Sequence, residues 1–137
     1  MSNYILDACA LLAVLNKEKG AEQVKSIIEQ ATTPSTIVRM NAINLLEVYY
    51  GILRESDKQT ADDTIRMVRK SAISIKDVVT RGVFQEAGRL KARYRISLAD
   101  SIALAEASVS GCSLVTSDHH EFDIIEESES IKFFWFR

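Results

Sequence analysis

Asn3-Tyr4-Ile5-Leu6-Asp7-Ala8-Cys9-Ala10-Leu11-Leu12-Ala13-Val14-Leu15 changes its structural grammar at a single residue. Before Asp7 a short apolar run reads as a buried strand; after it, Leu11, Leu12 and Leu15 recur at helical spacing. The acid stands at the hinge. An ionised carboxylate costs several kcal/mol to bury without a partner, so an acid placed here must cap the helix, meet a cation, or do both.

The same arrangement returns along the chain. Residues 21–31 read as a second helix with Val24, Ile27 and Ile28 on one face, closed by Thr32-Thr33-Pro34, and residues 36–40 as a second strand. A helix over 42–54 carries Glu47. Residues 60–70 open on Asp62 and Asp63 and close on Arg69 and Lys70, which suits a helix dipole. Residues 73–75 read as a third strand, and 77–94 as a long helix with Val78, Val79, Val83, Ala87 and Leu90 on its apolar side. Ser97 and Asp100 have the spacing of a capping box, opening an alanine-rich helix that Gly111 ends. Strands follow over 112–116 and 131–136. Strands alternating with helices predict an α/β fold, a three-layer α/β/α sandwich around a mainly parallel sheet of four to five strands, with sites at the carboxyl ends of strands.

Composition sets the bounds. The chain has 137 residues, 47% apolar and 26% charged, as expected of one globular domain spanning residues 1–137. A net charge of −2 supplies no general attraction to nucleic acid, so such a partner must be held by a local patch or through metal. Cys9 and Cys112 lie in apolar runs and are expected as core residues in a reducing compartment. Asp7 interrupts the first apolar run, and no segment is long enough to span a bilayer, so the expected location is cytoplasmic, away from membranes.

Four acids, Asp7, Glu47, Asp100 and Asp118, each follow apolar residues near a strand-to-helix change. Taken singly, each has an ordinary explanation: a cap for Asp7, a capping box for Asp100, an exposed helix edge for Glu47, a turn for Asp118. Together they resemble the PIN-domain family, particularly the VapC-type toxins of bacterial and archaeal toxin–antitoxin pairs. Leu6-Asp7-Ala8-Cys9-Ala10-Leu11-Leu12-Ala13 is similar to the family's first motif, and Asn44-Leu45-Leu46-Glu47-Val48-Tyr49-Tyr50-Gly51 to its second. Ile96-Ser97-Leu98-Ala99-Asp100-Ser101-Ile102-Ala103-Leu104-Ala105 is similar to the third, and Leu114-Val115-Thr116-Ser117-Asp118-His119-His120-Glu121-Phe122 to the fourth.

The resemblance implies a metal-dependent endoribonuclease whose acidic quartet, Asp7, Glu47, Asp100 and Asp118, binds Mg²⁺, with Mn²⁺ able to substitute. Asp7 and Asp100 are its safest ligands, and Glu121 and Asp123 are neighbours able to replace Asp118. Thr116 matches a hydroxyl position that orients ligands or water. The implied partners are an RNA substrate and a cognate antitoxin protein whose segment lies along Leu11, Leu15, Tyr49, Tyr50, Ile52 and Leu53; a homodimer remains open. The chemistry suits these residue types, because phosphodiester hydrolysis needs an activated water and relief of negative charge, which a hard cation on oxygen ligands supplies.

Arg93 and Arg95 approach Asp100 in sequence and are expected to bind RNA; Arg89, Lys91, Arg66, Arg69 and Lys70 are further basic residues of either use. His119 and His120 are expected in an exposed strand-exit loop, since no Cys-x-x-Cys accompanies them for zinc. Phe133-Phe134-Trp135-Phe136 is expected as a closing strand. Two rival readings stay open: a catalytically weak PIN-fold module binding RNA or protein, and a Mg-binding phospho-receiver domain, which would need a lysine at a late strand end where this chain has Thr116-Ser117-Asp118.

Overall fold

In the computed structural model, which describes residues 2–137, five strands form one sheet in the order β3-β2-β1-β4-β5, every adjacent pair parallel. The strands are β1 (Ser2–Leu6), β2 (Thr36–Asn41), β3 (Ser74–Lys76), β4 (Ser113–Thr116) and β5 (Lys132–Trp135). Helices α1 (Ala8–Leu15) and α2 (Ala21–Gln30) join β1 to β2, and α3 (Ala42–Glu55) and α4 (Lys58–Lys70) join β2 to β3. Helices α5 (Arg81–Arg93) and α6 (Leu98–Ser110) carry the chain back across the sheet to β4, and α7 (His119–Ser128) leads to β5. This is the expected three-layer α/β fold.

Alternation along the two central strands feeds both faces. Ile5 and Leu114 enter one core with α5, α6 and α7; Leu6 and Val115 enter the other with α1 to α4. Because the chain runs outward from β1 through β2 to β3, then crosses back to β4, strand order reverses between β1 and β4. Crevices at such reversals, outside the carboxyl ends of the strands, are where open α/β sheets bind ligands.

Alanines make α6 the central helix. Ala99 and every residue from Ser101 to Ala107 are buried, Ala103, Ala105 and Ala107 among them, so the backbone can lie close to both α5 and the sheet. Within that helix Glu106 is 2% exposed; it receives Lys76 Nζ at 2.9 Å and Asn41 Nδ2 at 2.7 Å. Asn41 also caps α3 by accepting from the Ile43 N–H. One buried carboxylate thus ties α6 to the ends of β2 and β3. Asn44 donates to the Ala99 carbonyl at 2.9 Å, joining the first turn of α3 to that of α6.

Gly20 is needed where it stands. It holds φ at +90°, and a Cβ there would lie 2.3 Å from the Phe136 carbonyl oxygen.

Several local expectations are revised. The helix expected over 77–94 begins only at Arg81, capped by the Thr80 hydroxyl, and Val78 and Val79 are exposed rather than apolar-face residues. Neither can pack, because the chain there is still leaving β3. Helix α4 starts earlier than expected, with Asp57 as its cap, and Asp62 and Asp63 pair with Lys58 and Arg66 on its flank. Helix α7, unforeseen, is capped by Asp118, so His119 and His120 open a helix instead of a loop. Among the described residues, no helix is long and apolar enough to cross a membrane.

The Glu106 cluster gives a stability test. Lys76→Ala leaves a buried carboxylate short of its cation and is expected to cost about 3 kcal/mol in denaturant unfolding, whereas Lys76→Met with Glu106→Leu recovers most of it. Equal loss in the single and double variants would contradict the pairing.

Candidate active site

The reversal of strand order opens a pocket of about 340 Å³ lined by Asp7, Ala8, Cys9, Leu12, Glu47, Tyr50, Ser97, Asp100 and Asp118. Four carboxylates share its wall, and no lysine or arginine is among the lining residues. Each acid arrives by a different local route. Asp7 leaves the end of β1 and caps α1, its Oδ1 accepting from the Ala10 N–H at 2.9 Å. Asp118 leaves the neighbouring β4 and caps α7 through the Glu121 N–H at 3.2 Å. Capping fixes one carboxylate oxygen of each in place. Asp100 sits on the first turn of α6 behind the Ser97 hydroxyl, which takes its N–H at 3.0 Å. Glu47 comes from the second turn of α3, half-buried.

Electrostatics separates these acids from ordinary surface carboxylates. Burial raises the Asp7 pKa, and the Asp118 charge adds to that; hydrogen bonds from Thr116, the Ala10 N–H and Cys9 oppose it. Asp7 is 3% exposed. Glu47 is raised by burial and by the Asp7 charge. Asp100 is pushed up to about 7, first by burial and then by the charges of Asp7, Glu47 and Asp118. Repulsion without a counter-charge is what a cation at this place would relieve.

Thr116 is fully buried, and its hydroxyl both supports Asp7 and accepts from the Asp118 N–H at 3.2 Å. One side chain therefore links the acids that follow β1 and β4. Cys9 packs against the core as expected but is only partly buried and also lines the pocket, with Sγ 3.5 Å from Asp7 Oδ2 and 3.5 Å from Ser117 Oγ. Its thiol is pushed up to about 12 by burial and by Asp7, which keeps it protonated. Cys112 is buried as expected.

Sequence spacing could have found two of the residues missed as pocket lining. Tyr50 is three residues after Glu47 and Leu12 three after Cys9, which places each pair on one helix face. The basic residues fare differently. Arg93 lies 3.8 Å from Glu129 and over the Tyr94 ring, Arg95 is exposed between α5 and α6, and neither lines the pocket. Arg89 is held between Glu86 and Glu129, Arg69 by Asp77, and Arg66 by Asp63, so much of the expected basic surface is already neutralised. Glu121 and Asp123 do not line the pocket; Asp123 pairs with His119 at 2.8 Å. Both ring nitrogens of His119 are engaged, Nδ1 by Asp123 and Nε2 by the Arg137 carbonyl, leaving neither free for zinc or for a general base.

Fold and pocket define an α/β domain with an acidic crevice at its switch point. The chain belongs to the PIN-domain family: the family model, described as PIN domain, matches residues 4–127. No curated protein sequence matches it. Among solved structures it is similar to DNA-bound VapBC from Salmonella typhimurium, with 15% identity, TM-score 0.76 and full coverage of both chains. It is also similar to VapBC2 from Rickettsia felis bound to a promoter DNA fragment, with 16% identity, TM-score 0.75, and 96% of this chain and 97% of that one covered. VapC20 from Mycobacterium tuberculosis, a toxin that cleaves the sarcin-ricin loop, matches at 17% identity and TM-score 0.62, covering 80% of this chain and 85% of that one.

The raised acids fix the sign of a pH effect. Folded Asp100 keeps its proton up to about pH 7, while the unfolded chain releases it near 3.8. Between those values the folded state binds more protons, so its contribution to stability falls as pH rises and is lost above about 7. Without metal, Asp100→Asn is expected to raise the melting temperature at pH 8 by a few degrees, on the order of 1 kcal/mol, and to leave pH 4 nearly unchanged. A variant that melts lower at pH 8 would show that the acids are not in repulsion.

Proposed function

We propose that the protein is a metal-dependent endoribonuclease and the toxin of a type II toxin–antitoxin pair. The observation that carries this is the gathering of Asp7, Glu47, Asp100 and Asp118 in one crevice without a basic lining residue. Oxygen donors alone suit a hard cation such as Mg²⁺ or Mn²⁺. Among the described residues, no three Asp, Glu, His or Cys side chains close on one point as a metal-holding group. That openness accords with Mg²⁺, which keeps several waters and binds through one or two carboxylates plus substrate phosphate. It also favours the alternative of a weakly catalytic binding module, which metal titration separates from the nuclease.

Asp7 and Asp100 would hold the ion, with Glu47 and Asp118 completing its surroundings. A bound divalent ion would lower the pKa of water and offset phosphate charge. The chain's residues do the rest. Ala10 and Thr116 fix the Asp7 carboxylate, Glu121 fixes Asp118, and Ser97 fixes the turn that presents Asp100. An uncoordinated member of the quartet can orient the attacking water. Attack by water in place of the ribose 2′-OH gives 5′-phosphate and 3′-hydroxyl products.

The antitoxin reading draws on the similarity to VapBC complexes and on a groove of about 510 Å³ between α3 and α4, lined by Leu45, Leu46, Tyr49 and Ile65 among others. Leu46 is 52% exposed there. Of the surface expected from sequence, Tyr49 lines this groove, Leu15 and Ile52 line a separate one, Tyr50 lines the acidic pocket, and Leu11 is core. A partner segment that continues past Tyr49 to Tyr50 and Glu47 would present a basic side chain to the acids.

Purified protein with Mn²⁺ is expected to cut total RNA into discrete fragments, and Asp7→Asn to lose at least a hundredfold of that rate. Mn²⁺ should raise the melting temperature of wild type more than that of Asp7→Asn. Metal binding without cleavage of any RNA would favour the binding module. For the basic residues, Arg93→Ala with Arg95→Ala is expected to weaken RNA binding and flatten its salt dependence; an unchanged slope removes them from the interface.

A further inference from the structure

One group of side chains beside the pocket has no part in the chemistry above. A column of rings climbs the α7 side of β5. It starts in the core at Phe122, whose centroid lies 5.9 Å from that of Phe133. Phe133 stacks on Trp135 at 5.2 Å and 7°, and Trp135 on His119 at 3.9 Å and 14°. Each ring is fixed. Trp135 Nε1 donates to Glu126 at 3.1 Å, and His119 is held by Asp123 and by the Arg137 carbonyl two residues beyond Trp135.

The top of the column is half open. The His119 side chain is 48% exposed although both its nitrogens are engaged and one face is covered by Trp135. With one face against Trp135 and both nitrogens bonded, a flat ligand has the opposite face of the ring to stack on. That face belongs to the residue immediately after Asp118, whose carboxylate lines the pocket. The approach to it is framed by Arg137, which lies over the Phe136 ring and donates to Ser117 Oγ at 3.2 Å and to the Lys19 carbonyl at 2.8 Å. A flat, rigid, half-exposed ring ending a stack beside an acidic crevice matches what an unstacked nucleobase takes as a platform. Apolar docking of a protein segment fits less well, because the shelf is one ring wide and rimmed by Asp123, Glu126 and Arg137.

We propose that His119, backed by Trp135 and Phe133, is a stacking platform for a nucleobase flanking the cleaved bond of single-stranded RNA. The inference rests on the nuclease reading and adds to it a residue that positions substrate. Stacking reads the π-face, which every base has, so the platform confers a geometric preference for unpaired RNA more than a choice of base. A base seated there holds the strand beside Asp118 and so sets which phosphate reaches the acids.

The test uses the full chain and an RNA of about ten nucleotides carrying 2-aminopurine at positions beside the cleaved bond. Mixed with Asp7→Asn protein, which binds without turnover, the probe should be quenched at one flanking position, and adding His119→Ala should abolish the quench. In the active protein, His119→Ala is expected to raise KM about tenfold with kcat within about twofold, and His119→Phe, which keeps a ring but no hydrogen bonds, to recover most of the loss. Melting temperatures of the two variants check that both fold. Equal losses in His119→Ala and His119→Phe would overturn the proposal in favour of a hydrogen-bonding role. Wild-type KM in His119→Ala, with RNA still cut, would overturn it and leave the shelf to a protein partner. If wild type neither binds nor cuts RNA, the nuclease reading falls and the platform with it.

Discussion

Parallel strands β1 and β4 lie side by side, and both end at the same edge. That one adjacency sets Asp7 next to the turn carrying Asp118, and Thr116 between them. The two helices that complete the pocket come from opposite faces of the sheet, α3 from one and α6 from the other. Like charges are thus gathered by the pairing of strands, and the sheet core carries the free energy that holds them together. Site and stability are opposed here. The rise of Asp100 to about 7 is the local sign of that opposition.

Hydrogen bonding converts the crowding into a defined geometry. Asp7 and Asp118 each cap a helix, so their carboxylates are oriented by backbone N–H groups that need an acceptor in any case. Helix N-termini also favour negative charge, which offsets part of the repulsion. The contact from Asn44 to Ala99 and the buried Glu106, Lys76 and Asn41 cluster hold α6 against α3 and the sheet, and so govern how far Glu47 stands from Asp100. A site held this way depends on groups well outside the pocket.

Much of this could be read from the chain. The strand-to-helix change at Asp7, the capping serine before Asp100, and Gly111 at the end of α6 are local signals, because each is a response of three to five neighbouring residues to backbone hydrogen bonding. Other features misled because they depend on distant neighbours. Val78 and Val79 extend a helical pattern yet lie outside any helix, and Cys9, read as core, also lines the acidic pocket, where its contacts with Thr116 and Ser117 exist only because β4 folds beside β1. Arg89 and Arg66, which the sequence leaves open to phosphate or to solvent, are paired with Glu86, Glu129 and Asp63. A one-dimensional charge pattern does not show which charges are already paired.

The alternating α/β plan and the four acidic motifs are legible in the chain, since periodicity and capping are short-range properties of a chain in water. That β1 neighbours β4, that the acids share one pocket, that α7 exists with Asp118 as its cap, and that His119 ends a stack on Trp135 emerge only in the folded chain. The reason is the distance along the chain between the partners. Asp7 and Asp118 stand at opposite ends of the sequence, and the packing of strands and helices is what brings their charges into one field.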